Sequence, residues 1–203
     1  MTLARQSARW RPSELLLPTP SGLYCPPADI HIDPVRPVAR ALITHGHSDH
    51  ARAGHGAVLA TRETLAIMAL RYGEGFAGSQ QAVAPGEVVR IGEVDFRFVP
   101  AGHVLGSAQI MVESRGLRIV ASGDYKRERD PTCAAFEPVP CDIFITEATF
   151  GLPVFRHPDT RDEVAKLLAS VRLWRSLPDA LPLQVGCGAG GRELGLYQCP
   201  LIR

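Results

Sequence analysis

His45-Gly-His-Ser-Asp-His50 sets three imidazoles and a carboxylate within six residues. Side chains of these types share one chemistry, which is lone pairs that bind a divalent cation. Alternate residues of an extended segment point the same way, so His45 and His47 can grip one ion together. Asp49 and His50 fall where the chain is expected to turn into a helix, facing a second ion nearby. Gly46 and Ser48 are small enough to let the backbone come close.

These residues need a frame. Ala41 to Thr44 is a short apolar run that predicts a buried strand leading into the histidines. Residues 1–40 are rich in proline (Pro18, Pro20, Pro26, Pro27, Pro34, Pro37) and predict short strands and irregular structure, not helix. Thr61 to Tyr72 reads as a helix capped by Thr61. From Glu87 to Thr149 the texture is β. Val94 to Phe98 alternates, and Ala108–Val112, Leu117–Ala121 and Ile143–Thr146 are apolar or β-branched runs between turns. Thr160-Arg-Asp-Glu163 matches a capping box, with Val164, Leu167, Leu168, Val171 and Trp174 following at helical spacing. Sheets packed in layers with helices outside are expected.

Composition bounds the rest. The 203 residues are 45% hydrophobic and 21% charged, an ordinary globular balance. No apolar run reaches the roughly 18–20 residues that cross a bilayer. The N-terminus carries Arg5 and Arg9 without a following apolar segment and does not read as a secretory signal. Five cysteines (Cys25, Cys133, Cys141, Cys187, Cys199) are scattered, with no C-x-x-C pair, so neither a disulfide framework nor a zinc knot is implied and a reducing cytoplasm is expected. A net charge of +1 makes the chain no electrostatic magnet for nucleic acid. Its positive charge is almost all arginine, which suits phosphate or reflects codon composition.

His45 to His50 resembles the signature loop of the metallo-β-lactamase superfamily, which fixes a site type and not a substrate. Other pieces follow in the family's order. Asp33, closing Ile30-His-Ile-Asp33, resembles the strand-end aspartate that supports the histidine loop; a turn aspartate before Pro34 is the alternative. His103, in Gly102-His-Val-Leu-Gly106, matches the third histidine of the first metal. Asp124, in Ser122-Gly-Asp124, matches the carboxylate that bridges two metals. His31, His55 and His157 fall on no matched position, and His55, near the loop, is expected to support a ligand from behind or to lie at the surface, not to be a ligand itself. The implied fold is an α/β metallo-β-lactamase αββα sandwich, N-terminal half only, over residues 1–150. The start of an inserted β-CASP-like domain is expected at 151–177 and an unrelated tail at 178–203.

Gly102 to Gln109 resembles the G-H-x-x-G-S string of the β-CASP nucleases, and Glu147 in Ile145-Thr-Glu-Ala-Thr-Phe-Gly151 resembles their acidic motif. Leu23 to Gly151 is similar to the bacterial ligase-associated DNA exonucleases, with Val35 departing from the tryptophan of that subgroup. The resemblance implies a dinuclear-zinc hydrolase (Mn²⁺ as a second possibility) acting on DNA or RNA ends, with an ATP-dependent DNA ligase and a helicase as partners. His45, His47 and His103 would hold one zinc and Asp49 and His50 the other, with Asp124 between them. Lys126, Arg127 and Arg129 could touch backbone phosphates, or form a solvated turn. Family members carry further histidines after the insertion, one of them a ligand of the second metal; the tail from Pro178 has none. A frameshift or premature end would produce that tail, a short variant being the alternative. A small-molecule metallo-hydrolase of the same fold and a non-catalytic truncated homologue are the competing functions.

Overall fold

Short apolar runs punctuated by proline and glycine become eleven strands among the described residues. The computed structural model describes residues 10–149, 151–152, 154 and 158–175. The chain divides into two units, Met1–Thr149 and Phe150–Arg203.

In the first unit, one sheet is built in chain order from β1 (Leu17–Thr19), β2 (Gly22–Cys25), β3 (Ile30–Ile32), β4 (Arg40–Leu42), β5 (His55–Ala60) and β6 (Ala77–Ala82). β1 to β3 pair antiparallel, and β3 to β6 pair parallel. The second sheet holds β7 (Val88–Ile91), β8 (Val94–Pro100), β9 (Ala108–Ser114), β10 (Leu117–Ala121) and β11 (Ile143–Ile145) in reverse order. It is antiparallel except for the β10–β11 edge.

The alternation expected at Val94 to Phe98 is the reason the sheets stack. Val94, Phe96 and Phe98 point inward with Ile110, Val112 and Ile119, and meet Ile30, Ile32, Leu42 and Leu59 of the first sheet in one buried core. Helix α2 (Arg62–Tyr72) covers the other face of the first sheet, where Leu65 and Met68 pack with Ile43, Val58 and Phe76. Its N-cap is Thr61, whose hydroxyl accepts the Thr64 N–H at 3.3 Å, as expected from the sequence. These are three of the four expected layers; among the described residues of this unit, no helix covers the outer face of the second sheet.

Three local expectations are corrected. The described part of residues 1–40 includes two short helical turns, a 3-10 turn at Pro26–Ala28 and α1 (Pro12–Leu15), where Glu14 reaches back to the Arg11 N–H at 2.9 Å. The loop after His45 does not run into a helix: the N–H groups of His50 and Ala51 both bond the His47 carbonyl, at 3.1 and 2.7 Å, and close a turn. In the second unit, helix α3 (Thr160–Arg175) is capped one residue earlier than expected, by the Asp159 carboxylate on the Arg161 N–H at 2.8 Å. Glu163 is drawn forward instead to Lys166, at 2.6 Å. The expectations for His157 and for residues 178–203, Cys187 and Cys199 included, lie outside the described residues. No described helix is long and apolar enough to cross a membrane.

Candidate metal centre

The polar residues singled out in the sequence sit just past strand ends: Asp33 after β3, His45 after β4, His103 after β8, Asp124 after β10 and Glu147 after β11. A sheet-to-sheet hydrogen bond, Ala108 N–H to the Thr44 carbonyl at 2.8 Å, locks the two sets of strand ends together. Two turns bring the far residues in. Gly102 has a φ of +72°, and a Cβ there would lie 2.3 Å from the Lys126 carbonyl oxygen, so only glycine lets the His103 loop pass that segment. The Ser107 hydroxyl then accepts the N–H groups of His103 and Val104 at 3.1 and 3.2 Å and holds the loop closed. Gly123, at φ +55°, would place a Cβ 2.7 Å from the Thr44 hydroxyl, and its absence lets Asp124 reach the histidines.

Four donors from three places in the chain converge. One ligand atom each from His45, His47, His103 and Asp124 lies within 4.8 Å of the other three. His45 Nε2 is 3.0 Å from His47 Nδ1, and His103 Nε2 is 3.2 Å from the same atom. Asp124 Oδ2 is 3.8 Å from His45 Nε2 and 3.6 Å from His103 Nε2. A tetrahedron with arms of roughly 2.0–2.1 Å has edges of about 3.3–3.4 Å. Four of the six edges, from 3.0 to 3.8 Å, bracket that value, and the remaining two lie within 4.8 Å. Ring nitrogens and a carboxylate oxygen aimed at one point repel each other unless positive charge stands there, so the chemistry and convergence of the donor set fit a divalent cation.

A second group of donors adjoins the first. Asp124 Oδ1 is 3.4 Å from His50 Nε2, whose neighbour is Asp49 Oδ2 at 3.6 Å. Asp124 thus presents one oxygen to each group. Asp49 is the outermost, with its side chain 73% exposed. Behind the rings, Asp33 Oδ2 takes the His50 Nδ1–H at 2.8 Å, so Asp33 is tied to the histidine loop and is not a bare turn residue.

Glu147, Asp49, His50 and Asp124 line one cleft of about 300 Å³ that continues past Leu23 and Val35. Glu147 accepts the Thr149 N–H at 2.8 Å. Lys126 is bound to Asp130 at 3.5 Å, whereas Arg127 and Arg129 are exposed, as a solvated turn would have them. His55 is corrected from a surface position: it is 2% exposed at the start of β5, with Nδ1 accepting the Val38 N–H at 3.3 Å. Cys25, Cys133 and Cys141 are free thiols. Two residues with structural roles at the site were not singled out in the sequence, Thr44 and Ser107. The Ser107 signal was its place inside the string that resembles a known motif; Thr44 read only as the end of an apolar strand.

Burial, and next the neighbouring His50, push the His45 imidazole down to about 3, against an opposing pull from Asp33. Burial lowers His103 as well, with Asp124 opposing. His50 goes the other way: burial pulls it down, but its hydrogen bond to Asp33 and the charges of Asp33, Asp124 and Asp49 together raise it. A neutral His45 at neutral pH is the form that binds a cation. An unfolded histidine titrates near about 6.5, so between about 6.5 and 3 the unfolded chain holds a proton at His45 that the metal-free fold does not. This contribution is complete above about pH 6.5 and is lost as pH falls, at up to about 1.4 kcal/mol per pH unit. The urea midpoint of metal-free protein should therefore drop between pH 7.5 and 5, and drop less in His45→Gln. Equal slopes for the two proteins would contradict it.

Known proteins resemble this chain in sequence. A model of the metallo-beta-lactamase superfamily matches residues 22–173. A probable DNA ligase of Opitutus terrae is 29% identical over 172 residues, which cover 83% of this chain and 16% of that protein. The endoribonuclease YSH1 of Candida glabrata is 42% identical over 66 residues, 32% of this chain and 9% of the other. Subunit 3-I of the cleavage and polyadenylation specificity factor of Arabidopsis thaliana is 30% identical over 180 residues, 72% of this chain and 25% of the other. The chain spans a quarter or less of the length of each of these relatives.

Proposed function

This chain belongs to the metallo-beta-lactamase superfamily, and from that membership we propose that it is the metal-binding part of a zinc-dependent phosphodiesterase that trims the ends of DNA, with RNA as the alternative substrate. One observation carries the reading: His45, His47, His103 and Asp124 present four donors converging within 4.8 Å, and the second oxygen of Asp124 faces His50 and, beyond it, Asp49. Bound zinc would supply an acidified water, with a pKa near about 7, and positive charge for a phosphate. His45, His47 and His103 would hold the first ion, Asp49 and His50 would hold the second, and Asp124 would touch both.

The remaining work belongs to the protein's own groups. The site is closed from behind by buried His45, and the cleft past Asp49 and Glu147 leads to His50 and Asp124, the side from which a phosphodiester would enter. Leu23 and Val35 give the far end of that cleft apolar contacts that suit a nucleoside's ring face and sugar. Arg127 and Arg129 are exposed and available to neighbouring phosphates. The Opitutus relative's name joins this sequence type to a DNA ligase, which supports DNA ends as substrate and a ligase as partner; the helicase rests on the family resemblance alone, and the YSH1 name supports RNA.

The direct test offers end-labelled single-stranded DNA and RNA of one sequence to the full chain loaded with Zn²⁺ or Mn²⁺, with Asp49→Ala alongside. Metal-dependent shortening of one labelled strand by the wild type, reduced by about a hundredfold or more in Asp49→Ala, is expected. Equal digestion by both proteins would end the proposal.

A further inference from the structure

The Thr44 side chain stands between Asp33 and His45. Its hydroxyl is 2.6 Å from Asp33 Oδ2 and 3.0 Å from His45 Nδ1, and its N–H gives a 2.8 Å bond to Asp33 Oδ1. Hydrogen positions follow from the inventory of donors. An ionised carboxylate only accepts, so the single hydroxyl proton of Thr44 goes to Asp33. The hydroxyl oxygen then has only lone pairs to offer the His45 ring, and Nδ1 must carry the proton between them. That leaves His45 Nε2 bare, and Nε2 is the atom 3.0 Å from His47 Nδ1 and 3.8 Å from Asp124. Asp33 Oδ2 also receives the His50 Nδ1–H at 2.8 Å, which leaves His50 Nε2 bare toward Asp124 Oδ1.

On the metal-centre reading above, we infer that Thr44 is a positioning residue: its hydroxyl relays the charge of Asp33 to His45, so one carboxylate sets the donor atom of a histidine in each of the two cation positions. His50 is held directly and His45 through the hydroxyl. The location favours the relay. Thr44 is 1% exposed and His45 is fully buried, so water does not compete for the hydroxyl or for the ring. The Thr44 side chain also lies against Gly123, where there is no Cβ to push it away from Asp33.

Thr44→Val keeps the shape and removes the relay, and Thr44→Ser keeps the relay and removes the methyl. In metal-free protein, ring ¹⁵N shifts of His45 should show Nδ1–H in the wild type and in Thr44→Ser, and a population of Nε2–H in Thr44→Val. Zn²⁺ affinity should fall by about 10–100-fold in Thr44→Val, the range found for second partners of metal-bound histidines, and by less than about threefold in Thr44→Ser. Nε2–H as the main wild-type form would overturn the relay without any variant. So would Thr44→Val binding zinc as the wild type does, or a folded Thr44→Ser as weak as Thr44→Val. A wild type that takes up no zinc would overturn the metal reading instead, and the ring shifts would still decide the relay.

Discussion

Asp124→Ala is expected to lower metal-dependent strand cleavage by about a thousandfold or more and to strip zinc from both positions. Among the described residues, Asp124 is the carboxylate that reaches ring nitrogens of both groups, with Oδ2 facing His45 and His103 and Oδ1 facing His50. Without it the first position keeps three neutral imidazoles and no negative charge, and the second keeps His50 and the exposed Asp49. Two cations a few Å apart repel, and a shared carboxylate offsets that repulsion. A thousandfold corresponds to about 4 kcal/mol of barrier, within reach of a group that holds the charged centre of a reaction. Elemental analysis after gel filtration should show near two zinc ions per wild-type chain and fewer than one in the variant. Asp124→Asn refines this, since it keeps one oxygen and removes the charge; a variant amide that retained both ions would show that shape, not charge, joins the positions.

The legibility of this site tracks how local its parts are. His45, His47, Asp49 and His50 lie within six residues, so their types and spacing were visible without any fold. His103 and Asp124 are single residues, legible only through their resemblance to family motifs, and they reach the site because Gly102 and Gly123 let their turns close on Lys126 and Thr44; the sequence shows the glycines and not what they pass. Thr44 lay hidden because a threonine ending an apolar strand is ordinary, and its meaning needs the positions of Asp33 and His45. The strands divide in the same way. β8 was legible from the alternation of Val94 to Phe98, whereas β6 is Ala-Gly-Ser-Gln-Gln-Ala and exists because the β5 edge offers it a parallel partner, Val58 opposite Gln80 and Leu59 opposite Gln81. Tertiary pairing there outweighs a weak local preference. The cap of α3 shifted to Asp159 because aspartate and threonine compete on nearly equal terms at that position.

Asp33→Ala should be the most damaging substitution outside the metal donors themselves. Asp33 accepts three hydrogen bonds, from the Thr44 N–H, the Thr44 hydroxyl and His50 Nδ1–H. Its side chain is 14% exposed, so water recovers little when the carboxylate is removed. An unsatisfied buried donor costs about 1–3 kcal/mol, and with partial relaxation the three together should cost about 3–5 kcal/mol of stability. Asp33 also holds a φ of +44°, a conformation that aspartate and asparagine tolerate and alanine does not, which adds to the loss. The conservative change, Asp33→Asn, tests how the loss divides between backbone and hydrogen bonds. It keeps the backbone conformation but has one oxygen, so it can serve the Thr44 N–H or the hydroxyl and His50, not both sides. Intermediate stability by urea denaturation, with zinc affinity reduced at both positions, is therefore expected. Because the same carboxylate stands behind His45 and His50, a substitution there that weakened only one position would separate the two cations and break the coupling that this geometry implies.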